Sequence, residues 1–328
     1  MKYRDFSDLG WRVSEIGLGC WQIGWCWGDI SDASARSIVR SALDSGVNFF
    51  DTSDTYGDGR SEKFLSEISS LHKHQDVYIT TKLGRRVRGT NFGRGYKALA
   101  MEEFVDRSLT NLRTETIDLV QMHCPTIDDC TQQQTYEMMD TLVRKGKIRY
   151  YGISVYNLEE AFAALDRSNI KSIQLVFNIF RQRPRDHLFS IAKAKNVAII
   201  ARGPLASGLL AGEIGLDTVF PENDHRNYNI KGDAFDIGDT FSGVKLQKGV
   251  EAVAELKKIL PGGVTVAQLA LKWILSHPEV TTVIPGAVDP QQVIDNCLVP
   301  ELNDIDELIP IINDIYDVYV KGDVHHRW

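Results

Sequence analysis

The chain has 328 residues, 43% of them hydrophobic and 25% charged, a composition that excludes a disordered or fibrous protein. Its 37 Lys and Arg against 44 Asp and Glu leave a formal charge of -7, which disfavours a global attraction to nucleic acid. The length admits two average domains, or one α/β barrel that takes up residues 1–328 as a single domain, which is the reading adopted below.

No run reaches the roughly 18 apolar residues that a membrane helix needs, so no membrane span is expected. The opening MKYRDFSDLGWRV places charges in every turn and has no apolar block, so no secretory signal is expected either. The five cysteines contain no CxxC pair. Together these features point to a reducing, cytoplasmic setting without a disulfide framework or a zinc site.

In chain order, KYRDF and RVSE flank the turn-like Asp8-Leu9-Gly10 and predict a small hairpin that could plug one end of a barrel. Short apolar or β-branched runs then alternate with stretches of helical period. The predicted strands are 16–18, 48–51, 77–81, 119–123, 150–154, 172–176, 197–201 and 282–285. Eight is the number that a closed parallel (β/α)8 barrel requires. Between the third and fourth, Met101, Phe104, Val105, Leu109 and Leu112 recur at helical spacing and predict a helix over 97–112. From 212 to 249 the periodicity gives way to Gly, Asp, Asn and Pro, the signature of a long lid or binding loop.

In such a barrel the functional residues lie where strands end and βα loops begin. Asp51 closes FFD, Tyr56 follows in the next loop, Lys82 follows VYITT, and His123 closes DLVQMH. Each alone has a bland alternative, a turn cap or a core histidine; together on successive strand ends they suit acid/base chemistry. A free phenol has a pKa of about 10. An ammonium from Lys82 would lower it, Asp51 would hold that ammonium in place, and His123 could hydrogen-bond a substrate oxygen.

These residues, with FFDTSDTYGDGRSE, ITTKLG, IDLVQMHCP, GKIRYYGIS, PLASGLLAG and VIPGA in order, resemble the aldo-keto reductase family over essentially the whole chain. Within it the chain resembles bacterial members that act on sugars, polyols or inositol-like substrates. The resemblance implies a barrel that itself binds a nicotinamide dinucleotide, and a tetrad of Asp51, Tyr56, Lys82 and His123 with the tyrosine as proton donor. It further implies that Ser154 and Gln174 hydrogen-bond the nicotinamide carboxamide, although Val155 replaces the asparagine often found there. Arg202 stands where many members place a stacking aromatic residue. Leu205 and Ser207 match the pyrophosphate loop, and Gln292 and Asn296 match adenosine contacts.

Relatives read PGAR or PGAK at the 2′-phosphate, whereas this chain reads Pro285-Gly286-Ala287-Val288-Asp289. NADP(H) is the cofactor that the resemblance favours, and NAD(H) is the alternative that Val288 opens. The partner is a small carbonyl or alcohol.

Trp21 matches a wall of the family's substrate pocket, whereas Trp25 and Trp27 read equally well as packing. The run Arg85, Arg86, Arg88 and Arg94 could bind RNA or a phosphorylated ligand, but such a run is usually a solvated loop. GLGCWQIG lacks GxGxxG spacing and is no dinucleotide fingerprint. The pairs His72/His74 and His325/His326 have no further metal ligands in spacing and read as surface histidines. Substrate contacts are also expected from the Arg-rich loop, from residues 212–249 and from the C-terminal tail. A reading from another class is a cofactor-retaining redox sensor or regulatory subunit on the same barrel.

Overall fold

The computed structural model describes residues 1–24, 30–71, 76–85, 96–167 and 169–328. Trp25, Trp27, His72, His74, Arg86, Arg88 and Arg94 lie outside them.

The predicted hairpin pairs β1 (Tyr3–Phe6) with β2 (Trp11–Ser14) in antiparallel register, Phe6 opposite Trp11. Eight parallel strands follow: β3 (Leu18–Gly19), β4 (Phe49–Asp51), β5 (Tyr78–Leu83), β6 (Ile117–His123), β7 (Ile148–Ser154), β8 (Ile170–Val176), β9 (Ala198–Arg202) and β10 (Val280–Val283). Each pairs with its neighbour in sequence. The ring is shut by backbone bonds from Gly17 N–H to Val283 O (2.8 Å), Val283 N–H to Glu15 O (3.0 Å) and Gly19 N–H to Pro285 O (3.0 Å). Such closure needs bare backbone: a Cβ on Gly17 would lie 2.9 Å from Phe49 O, and one on Gly19 2.8 Å from Ile284 O. The glycines of GLG therefore serve barrel closure.

Strand alternation sorts the side chains. Along β6, Val120 and Met122 face the helices in the outer core, while Leu119, Gln121 and His123 face the barrel axis. At the far end from His123, the hairpin plugs the barrel with Phe6, Trp11 and Val13 packed on Phe49, Tyr78 and Ile284. Trp11 stacks on Tyr78 with ring centroids 4.4 Å apart. The predicted helix is Ala98–Leu112, with Met101, Val105 and Leu112 buried.

Two boundaries differ instructively. β5 runs on through Lys82 to Leu83, because Lys82 still pairs in register with Gln121. The segment 212–249 is not loop throughout: it holds short turns at His225–Tyr228, Ile237–Asp239 and Phe241–Gly243, and the helix Leu246–Lys258 begins inside it. That helix buries Gly249, Ala252, Val253 and Leu256, a helical stripe partly hidden at sequence level by the glycine.

Candidate active site

Because β4, β5 and β6 are adjacent, their C-terminal ends bring Asp51, Lys82 and His123 together, and the turn after β4 returns Tyr56 over them. Lys82, 1% exposed, donates from Nζ to Asp51 Oδ2 (2.5 Å), Thr52 O (2.9 Å) and the Tyr56 hydroxyl (3.2 Å). The other Asp51 oxygen accepts from Gln174 (2.7 Å) and Gln121 (3.2 Å), so the buried carboxylate is fully satisfied. Tyr56 and His123 meet edge to face, ring centroids 6.1 Å apart. His123 Nδ1 lies 3.1 Å from Ser53 Oγ, a contact that fixes the imidazole plane.

The electrostatics differ from the sequence expectation in one respect. Burial raises the Tyr56 pKa above its ordinary value, and the Lys82 charge opposes that rise without overcoming it. The phenol is therefore held protonated. Burial alone would lower the Lys82 pKa, but the charges and hydrogen bonds of Asp51 and Tyr56 outweigh it and the net direction is up. Burial, then the Arg85, Lys82 and Arg202 charges, hold His123 well below the usual histidine value, so its ring is neutral.

A cavity of about 950 Å³ opens above this cluster. Asp51, Tyr56 and His123 lie at its floor and Lys82 is hidden beneath them; Trp21, Ser154, Gln174, Arg202, Leu205, Ser207, Gly286, Val288, Gln292 and Asn296 all line it. Several are engaged in ways that spacing alone did not show. Gln174 bridges Ser154 Oγ (3.4 Å) to Asp51. Arg202 donates to Asp239 Oδ1 (2.5 Å) and Val155 O (3.2 Å). Ser207 Oγ donates to Asp239 O (3.0 Å) and accepts from Phe241 N–H (3.1 Å), fastening the segment 237–243 along one wall. Gln292 accepts from Val288 N–H, and Asp289 caps the helix Pro290–Cys297 at Gln292 N–H (3.1 Å).

Gln22 lines the cavity and carried no motif signal in the sequence. Arg85, from the Arg-rich run, and Asp239, from segment 212–249, line it as well; both stretches are expected from the sequence to supply substrate contacts. Among the described residues Gln22 Oε1 is buried with no hydrogen-bond partner. The C-terminal tail is a correction: Trp328 does not line the cavity but lies under segment 236–243, donating to Asp236 Oδ1 (3.1 Å) and crowding Gly238 and Gly243. His325 bonds the Tyr316 hydroxyl (2.9 Å), and His326 is exposed. Among the described residues no cluster of three or more His, Cys, Asp or Glu could hold a metal, and no helix is long and apolar enough to cross a membrane.

The aldo/keto reductase family model matches residues 15–316. The chain belongs to the aldo/keto reductase family. It is 30% identical to the aldo-keto reductase YhdN of Bacillus subtilis, over 89% of this chain and 87% of that protein. It is 29% identical to a probable voltage-gated potassium channel subunit beta of Arabidopsis thaliana, over 98% of this chain and 97% of that one. The solved glycerol dehydrogenase of Gluconobacter oxydans superposes with a TM-score of 0.79 at 28% identity, covering 97% of this chain and 96% of that one. This aldo/keto reductase is an NAD(P)H-dependent oxidoreductase of carbonyl and alcohol groups.

Proposed function

We propose that the enzyme reduces a small aldehyde, ketone or open-chain sugar with Tyr56 as proton donor, and oxidises the alcohol in reverse. The observation that carries this reading is the single Lys82 ammonium placed between Asp51 and the Tyr56 hydroxyl at the floor of the cavity, beside a neutral His123. The carbonyl oxygen takes the Tyr56 proton as charge develops on it; Lys82 then stabilises the phenolate left behind, and Asp51 fixes Lys82. His123 holds the oxygen in place.

The dinucleotide, when bound, supplies or accepts the hydride. The cavity suits it: Gln22 Oε1, buried without a hydrogen-bond partner among the described residues, offers an acceptor, and the bare Gly286 lets the Gln22 amide lie against its backbone, where a Cβ would stand 2.0 Å from Oε1. Ser154 and Gln174 would hold the carboxamide, Arg202 would face the nicotinamide, and Leu205 and Ser207 would flank the pyrophosphate. Gln292 and Asn296 would meet the adenosine end.

Among the described residues the cations lining the cavity are Arg85, Arg202 and Arg226, and Arg226 is gripped by both oxygens of Asp224. Val288 is 41% exposed and Asp289 is spent on its cap. NADP(H), which the family favours, is therefore bound with only modest preference over NAD(H).

The test is a screen of purified protein with NADPH and NADH against aldehydes, ketones, sugars and polyols; glycerol belongs in it because of the glycerol dehydrogenase likeness. Turnover is expected. Dinucleotide binding without turnover in either direction would favour a cofactor-holding regulatory subunit, the reading that the channel-subunit likeness supports.

A further inference from the structure

We propose that the substrate carries an anionic group, a carboxylate or a phosphate, close to the reacting carbonyl, and that Arg85 recognises it. This specificity rests on the reading of Tyr56 and His123 as the groups that hold the carbonyl.

Arg85 stands just beyond the end of β5, three residues after Lys82, on the cavity side. One of its terminal nitrogens is 3.4 Å from His123 Nε2 and the other 3.9 Å from Asp239 Oδ2, and the Phe235 ring centre lies 5.4 Å from the guanidinium carbon. Among the described residues no carboxylate grips it in the two-pronged manner that a guanidinium favours. Asp239 is already committed, one oxygen to Arg202 at 2.5 Å and the other accepting from the Tyr156 hydroxyl at 3.0 Å. One carboxylate thus faces two guanidinium groups. Lys82 does not alter the balance, because Asp51 neutralises it. Among the described residues, the substrate end of the cavity is left with one surplus positive charge beside a neutral imidazole.

A partly buried cation without a matched anion carries a desolvation cost, and its planar fork of donors suits a carboxylate or phosphate. The position sets the distance. A carbonyl whose oxygen reaches the Tyr56 hydroxyl and His123 leaves the atoms one to three bonds from its carbon within reach of Arg85, which lies against His123. Trp21 lines the cavity here, and Phe235, 6.1 Å from it between ring centres, stands beside Arg85; these rings limit the room, so the substrate is small. Short 2-oxo acids, aldehyde acids and phosphorylated hydroxyaldehydes share this chemistry.

The experiment compares matched pairs on the dinucleotide-loaded enzyme: glyoxylate with glycolaldehyde for the carboxylate, and glycolaldehyde phosphate with glycolaldehyde for the phosphate. In the wild type, kcat/KM is expected to favour the charged member of one pair by about ten- to a hundredfold, the weight of a charge-assisted hydrogen bond. Which pair shows it identifies the anion. Arg85→Gln should collapse that ratio, and Arg85→Lys, which keeps the charge but loses the fork, should keep part of it. A ratio unchanged in Arg85→Gln would overturn the proposal. So would a loss of dinucleotide affinity in Arg85→Gln as large as the fall in the ratio, since Arg85 would then serve the cofactor.

Oxalate quenching of tryptophan fluorescence separates this proposal from the reading beneath it. No turnover of any member, with oxalate binding present in the wild type and lost in Arg85→Gln, would sustain the anion site and overturn carbonyl reduction by this cluster. No turnover and no oxalate binding would overturn both.

Discussion

The Lys82 ammonium lies 3.2 Å from the Tyr56 hydroxyl oxygen, yet the phenol stays above its ordinary pKa. Burial outweighs the neighbouring charge, so the pair is arranged to deliver a proton and to make the phenolate bearable once the proton has left.

Tyr56→Phe removes that proton and little else. Turnover should fall by roughly 10² to 10⁴, the usual worth of a general acid, while dinucleotide dissociation constants hold within about twofold. Near wild-type turnover on the best substrate would show that Tyr56 is not the donor.

Lys82→Met leaves burial unopposed at Tyr56. Alcohol oxidation needs the phenolate as proton acceptor, so its rate should fall and its rise with pH should move to higher pH by about one unit or more. Carbonyl reduction, which uses the protonated phenol, should persist to higher pH than it does in the wild type. A uniform drop in both directions with both pH profiles in place would mark Lys82 as merely structural. Melting temperature would show whether the stranded Asp51 has unfolded the protein instead.

Much of this site was legible in the sequence, and the reason is periodicity. Asp51, Lys82 and His123 are polar residues on inward positions near strand ends, and a period of two projects such residues onto one axis. The contact between Arg85 and Asp239 was not legible, because it joins two loops far apart in the chain and depends on how residues 236–243 fold back. Trp328 misled for a related reason: a terminal aromatic residue gives no local sign of which wall it will brace.

Asp239 gives the fold a pH signature. Burial would raise its pKa, but the Arg202 and Arg85 charges and the Arg202 and Tyr156 hydrogen bonds prevail and hold it below the ordinary 3.8. Its contribution to stability is therefore full above that value and is lost as pH falls through the lower folded value. Asp239→Asn should lower the melting temperature near pH 7 and lose less on acidification from pH 5 to pH 3 than the wild type. Equal acid sensitivity in the two proteins would contradict the pairing.

Val288→Arg tests the dinucleotide choice. A guanidinium on the turn after β10 should tighten NADPH by roughly ten- to a hundredfold and leave NADH nearly unchanged, with a smaller gain at high salt. A wild type that already prefers NADPH several-hundredfold would locate the phosphate contact elsewhere, with Arg226 the first residue to replace.

The bonds that shut the ring join residues 15–19 to residues 283–285, almost opposite ends of the sequence. Loop-closure entropy grows only slowly with chain length, so this seam costs little equilibrium stability. Its cost falls on time. A contact of such sequence separation forms late, and until it does the edges of β3 and β10 stand open to pairing with another chain. Refolding yield should therefore fall with protein concentration more steeply than the stability of the finished barrel would suggest.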